Sequence, residues 1–129
     1  MRLPLLPLLL CLTPATGQAE PDFEAIKIAA GAQAFALACA GCHAADATGD
    51  SYGPPLEDVS GRVAGTWFDY PYSDALRAAG FVWTDDLLRA WMADNTAFLP
   101  DSKMRHDGID DPVVQELILS YLHSISQGE

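Results

Sequence analysis

Apolar positions near the C-terminus recur with a helical period. Val114, Ile118, Leu122 and Ile125, with Tyr121 alongside, form one stripe. Asp111 stands where a cap belongs and Pro112 suits the first helical position, so the pattern predicts a closing helix from 112 onward. A second helix is predicted over residues 22–40, capped by Asp22 and rich in alanine from Ala29 to Ala40. Gly31 falls on the same face as Phe35, and a glycine inside a helix marks a close approach by another element. Two shorter helices follow the same logic. Ser73 caps residues 74–79, with Gly80 as the stop, and Thr84 caps residues 85–94, whose apolar face is Leu87, Leu88 and Trp91. Residues 44–72 and 95–111 carry no period and are expected to be loops. No internal repeat, low-complexity tract or strand alternation is present. The expectation is an all-α domain of four to five short helices and long loops.

A loop as long as 44–72 inside a small domain needs something to wrap around. The chain supplies a reason at Cys39-Ala40-Gly41-Cys42-His43, where two thiols lie about one helical turn apart with a histidine directly after the second. That spacing lets two thiols reach the two vinyl groups on one porphyrin edge as thioethers, while the imidazole binds the iron from one side. The competing readings are weaker. A thioredoxin-like pair needs a βαβ context that is missing, and a zinc site needs further ligands when only His106 and His123 remain, far along the chain. One covalent haem c is therefore the expected cofactor, held by Cys39 and Cys42, with His43 as an axial ligand to iron.

The opposite axial position has four candidates, Met92, Met104, His106 and His123. Met92 sits mid-helix next to Trp91, where methionine is usually core, and His123 lies in the last helix beside its stripe. Met104 lies in the irregular stretch Leu99-Pro100-Asp101-Ser102-Lys103-Met104, which can swing across the far face of a ring. A thioether there favours ferrous iron and raises the potential. Met104 is preferred, with His106 next.

The N-terminus changes the picture of where the chain works. Met1-Arg2, an apolar run from Leu3 to Leu12 broken by Pro4 and Pro7, and small residues around Gly17-Gln18-Ala19 read as a secretory leader over residues 1–19. Cys11 follows a bulky Leu10, which disfavours a lipoprotein signal, and is treated as part of the leader. Residues 20–129 would then be one domain, exported to the periplasm without stable membrane insertion. The 129-residue chain has a formal net charge of −11, and losing residues 1–19 removes Arg2 and no acid, leaving −12. Such a surface disfavours nucleic acid and anionic lipid, and favours partners with a basic docking face.

With these residues in view, the chain resembles a class I cytochrome c of the mitochondrial-like bacterial type. The likeness runs from about Gly31 to Leu122. It rests on Gly31 with Phe35, the 39–43 motif, Gly53-Pro54 with Leu56, Gly61-Arg62, Ala64-Gly65, Tyr72-Ser73-Asp74-Ala75, Trp83, Pro100, Lys103-Met104 and Tyr121-Leu122. The resemblance implies the class I cytochrome c fold and a monomeric one-electron carrier, not an enzyme, that shuttles between redox proteins. It implies that the Pro54 carbonyl fixes the His43 ring, and that Arg62, Tyr72 and Trp83 hydrogen-bond the haem propionates, with Ser102 a further donor. Gly31 and Phe35 would pack against Tyr121 where the first and last helices cross. The chain departs from the family pattern at Trp91, where a tyrosine is usual, at Leu76, where an asparagine is usual, and at His106, where an aromatic stands. The ring of docking lysines is also missing, since Lys27 and Lys103 are the only lysines. Two alternatives stand beside the carrier: a membrane-tethered electron-entry subunit, if the leader is retained, and a haem enzyme or gas sensor with a displaceable sixth ligand.

Overall fold

The computed structural model describes residues 22–44 and 52–126. The expected leader over 1–19, and the boundary it sets for the following domain, lie outside the described residues. Among the described residues there are five helices: α1 (Phe23–Ala38), α2 (Asp74–Ala78), α3 (Asp85–Ala93), α4 (Asn95–Phe98) and α5 (Pro112–Ile125). Among the described residues none of these is long and apolar enough to cross a membrane.

The helix starts follow from local chemistry. Asp22 accepts hydrogen bonds from the Glu24 and Ala25 amides, Ser73 from Leu76, Thr84 from Leu87, and Asp111 from Val113 and Val114. Each satisfies amides that a helix leaves without partners in its first turn. Gly80, with φ of +67°, ends the α2 turn in the left-handed region that glycine tolerates. One element departs from expectation. The stretch after Asp94 is not all loop, because the Asp94 carboxylate accepts from the Thr96 and Ala97 amides and nucleates the four-residue α4. A helix of one turn is too short to show a period, so only its cap could have revealed it.

Helices α1 and α5 cross at Gly31. A Cβ there would lie 1.9 Å from the Leu117 carbonyl oxygen, so the backbones approach as closely as glycine alone permits. Phe35 packs on Tyr121 beside this crossing, ring centroids 5.2 Å apart. The buried stripe of α5 comprises Gln115, Ile118, Leu119 and Leu122, while Val114 and Ile125 sit at its half-buried margin. Gln115 ties the elements together by donating to the Arg89 and Ile109 carbonyls, at 3.2 and 2.6 Å.

The segment from 52 to 72 is loop, yet it is pinned. The Gly61 amide donates to the Trp83 carbonyl at 2.7 Å, Trp83 returns a bond to the Arg62 carbonyl at 2.9 Å, and Ala64 donates to Phe81 at 2.8 Å. An isolated antiparallel bridge between Val63 and Val82 results. Behind it Phe81, Trp83, Trp91 and Phe98 form edge-to-face pairs with centroids 4.7 to 5.8 Å apart. Loop, α2, α3 and α5 thus enclose one side of a cavity whose other side begins at the end of α1.

Candidate haem site

The cavity measures about 280 Å³, and its walls are mainly apolar, with Phe35, Leu56, Val59, Leu88 and Ile118 among them. All nine side chains singled out from the sequence border it: Cys39, Cys42, His43, Pro54, Arg62, Tyr72, Trp83, Ser102 and Met104. Met92 and His106 border it too, whereas His123 lies elsewhere, on the surface against Asp85 at 3.1 Å.

The thiols stand where α1 unwinds. Cys39 caps the helix, its amide donating to Phe35 at 2.8 Å, and the Cys42 and His43 amides both fold back on the Cys39 carbonyl. The two thiols are not bonded to each other. Burial, and secondarily the charge of Cys42, pushes the Cys39 thiol up to about 11, so it is protonated at neutral pH before any thioether forms.

His43 is only 6% exposed. Its Nδ1 donates to the Pro54 carbonyl at 2.7 Å, which fixes the tautomer and leaves Nε2 as the nitrogen available to a metal. Gly53 makes the fixation tight, for a Cβ there would come within 2.6 Å of the imidazole Cε1. Burial lowers the His43 pKa, opposed by the Pro54 bond, and so favours the neutral ring that metal ligation requires.

Met104, on the same cavity, is half-buried, and the Trp91 indole N–H donates to its sulfur at 3.0 Å. The Met104 carbonyl accepts from Asn95 at 2.8 Å and from Arg105 at 2.8 Å. Asn95 is a site-supporting residue that the sequence reading missed. The only local sign was an amide directly after a capping aspartate, and nothing in that signals burial. His106 uses Nδ1 to accept from the Gly108 amide at 3.0 Å, while its Nε2 is buried without a hydrogen-bond partner.

The polar wall lies at the loop side. Arg62 donates to the Pro55 and Glu57 carbonyls at 2.9 and 3.1 Å and stacks over Trp67 at 4.8 Å. Burial lowers its pKa, with the neighbouring Tyr72 and Asp58 opposing. Tyr72 and Trp83 are buried beside it, and Ser102 accepts from Asn95 at 3.0 Å. Leu76 contributes an apolar side chain to the same wall.

These residues fit a flat apolar group with a charged edge. Two thiols sit at one rim, an imidazole with Nε2 available and a thioether share the cavity, and a half-buried guanidinium with hydroxyl and indole donors can meet carboxylates. Fold and site together define a protein built around a covalent haem.

Comparison with known proteins agrees. The family model described as cytochrome c matches residues 28–125. A cytochrome c2 iso-2 of Magnetospirillum fulvum is 32% identical over 87 residues, covering 67% of this chain and 91% of that protein. Cytochrome c of Arabidopsis thaliana is 32% identical over 93 residues, covering 71% and 83%. Among solved structures, cytochrome cH from Methylobacterium extorquens superposes with a TM-score of 0.70 at 38% identity, covering 75% of this chain and 97% of that one. The chain belongs to the cytochrome c family. Its fold is the all-α class I cytochrome c fold, its cofactor is a covalently bound haem c, and it is a haem-based electron carrier.

Proposed function

We propose that this protein is a periplasmic carrier of single electrons, with one haem attached through Cys39 and Cys42 and ligated by His43 and Met104. The observation that carries this reading is the pairing of a pinned, neutral imidazole with a thioether on the same cavity. The haem iron, when bound, supplies the electron by moving between ferric and ferrous states. Everything else falls to the chain. Pro54 orients His43, and Trp91 sets the electron density on the Met104 sulfur. Arg62, Tyr72, Trp83 and Ser102 offset the cost of holding propionates next to an apolar ring. His43 and Met104 would hold the group from the protein and leave no open position for a substrate, so no bond-making reaction is expected.

The leader over 1–19 would export the chain and be removed, leaving residues 20–129 as a monomer in the periplasm. Its donors and acceptors would carry basic docking faces. Four acids, Asp101, Asp107, Asp110 and Asp111, against two cations, Lys103 and Arg105, stand in the segment around Met104, so the local balance has the sign of the whole. Contact should be small and electrostatically steered, as suits a carrier that must release quickly.

The deciding experiment adds cyanide or carbon monoxide to the purified haem protein near neutral pH. Slow or partial uptake is expected. Rapid binding to most of the protein would replace the carrier reading with an enzyme or sensor.

A further inference from the structure

The segment that carries the Met104 sulfur is tied at its outer side by Lys103, which donates to the Pro71 carbonyl, and by Arg105, which donates to the Ser102 and Met104 carbonyls. Its backbone turns at Asp101, with φ of +65°, and the Ser102 amide reaches the Leu99 carbonyl only at 3.3 Å. Two side chains hold the segment from inside: Trp91 of α3 bonds the Met104 sulfur, and Asn95 of α4 bonds the backbone. Asn95, 1% exposed, uses its amide nitrogen twice, donating to Ser102 Oγ at 3.0 Å and to the Met104 carbonyl at 2.8 Å. The two bonds straddle Lys103, so a single amide grips the loop on both sides of that residue. The grip is aimed by the helix start, where Asp94 caps α4 and the Leu99 amide closes it on the Asn95 carbonyl at 3.0 Å. An amide in the interior is costly unless it is bonded, and a leucine would fill a similar volume without that cost. The choice of asparagine therefore points to its donors.

We propose that Asn95 is a positioning residue for the sixth ligand. Its amide clamps the 102–104 backbone so that the Met104 sulfur stays on the iron against competing ligands. It also sets the polarity of Ser102. That hydroxyl accepts from Asn95, which leaves its own proton free to be donated into the cavity it borders. The inference rests on Met104 being the sixth ligand and adds what keeps it there. Asn95 differs in kind from Trp91: it touches the backbone and not the sulfur, so it governs how often the loop opens rather than how strongly the sulfur donates.

Imidazole binding to the ferric haem protein tests this. In Asn95→Leu the sulfur-to-iron charge-transfer absorption should persist without competitor, while imidazole should displace Met104 at about thirtyfold lower concentration, the equivalent of two neutral hydrogen bonds lost. Met104→Ala serves as the reference. If Met104→Ala binds imidazole far more tightly than wild type but Asn95→Leu stays within about threefold of wild type, the clamp is overturned while the ligand assignment stands. If Met104→Ala itself leaves the charge-transfer absorption and imidazole affinity unchanged, the ligand assignment fails and the clamp with it. A lower denaturation midpoint for Asn95→Leu with unaltered imidazole affinity would reduce Asn95 to a structural residue and overturn the proposal. Should that variant not accumulate as haem protein, the wild type still decides. The Asn95 side-chain amide protons should exchange much more slowly than those of exposed Gln33, and equally fast exchange would overturn the clamp.

Discussion

The Trp91 indole N–H donates to the Met104 sulfur at 3.0 Å, and both side chains line the cavity. A donor on a ligating sulfur withdraws electron density from it and so favours ferrous over ferric iron. Trp91→Phe keeps an aromatic ring against Trp83 and Phe98 but removes the donor. The reduction potential should fall by about 20 to 60 mV, one ordinary hydrogen bond's worth for a one-electron couple. Voltammetry of wild type and variant measures it, and an equal or higher potential in the variant would show that this contact does not tune the iron.

Gly31 tests how closely the helix crossing is packed. Its would-be Cβ meets the Leu117 carbonyl at 1.9 Å and Tyr121 Cβ at 2.9 Å, both on α5, so even alanine forces the helices apart. Gly31→Ala should cost about 2 to 4 kcal/mol of stability in a denaturant titration of the haem protein. Gly41→Ala, where nothing lies within 4 Å of the added carbon, is the control and should change stability by less than about 0.5 kcal/mol. Equal losses at the two sites would contradict the crossing.

Glu116 gives the stability a pH dependence of defined sign. Its carboxyl pKa is lowered, first by the hydrogen bond from Arg89 at 2.7 Å, and Lys27 adds a second cation at 3.7 Å. A carboxyl with a depressed folded-state pKa stabilises fully above its ordinary value and loses that contribution as pH falls through the lowered one. The side chain is about half exposed, so the contribution is a surface pair's, about 0.3 to 1 kcal/mol. Glu116→Gln should therefore differ from wild type at pH 7 and converge with it in acid, and the difference should shrink in salt. Denaturation midpoints from pH 7 down to pH 3 measure this. A constant gap across that range would exclude the pair as its cause.

Charge also governs association. A carrier whose chain has a formal net charge of −11, facing a basic partner, should transfer electrons more slowly as added salt screens the attraction. Stopped-flow rates against the physiological partner, taken across ionic strength, decide it, and a rate that climbs with salt would assign the partner an acidic face.

The parts of this molecule readable from sequence are those whose causes are local. The starts at Asp22, Ser73, Thr84 and Asp111 were legible because a capping side chain bonds amides two or three residues away. The α5 stripe was legible in period, though Leu119 and Gln115 were not expected in it. Their burial depends on α3 and on the Ile109 loop, to which Gln115 donates. Helix α4 was missed because one turn leaves no periodicity. Asn95 was missed for a different reason. Nothing near it in sequence distinguishes an asparagine that caps a surface turn from one that bonds a carbonyl nine residues on inside the protein. Arg62, Tyr72 and Trp83 were singled out through family resemblance alone. Their gathering at one wall depends on the 61–64 and 81–83 segments pairing, which no short window contains.

The cavity shares its walls with the hydrophobic core: Phe35, Val59, Trp83, Leu88, Trp91, Ile118 and Leu122 belong to both. That overlap ties assembly of the core to the cofactor. The polypeptide does not fill this interior with its own side chains, so attachment at Cys39 and Cys42, as proposed, would contribute to final compaction. A newly made chain that misses its prosthetic group stays loose and open to proteases. Attachment of the group would then double as a checkpoint on biogenesis.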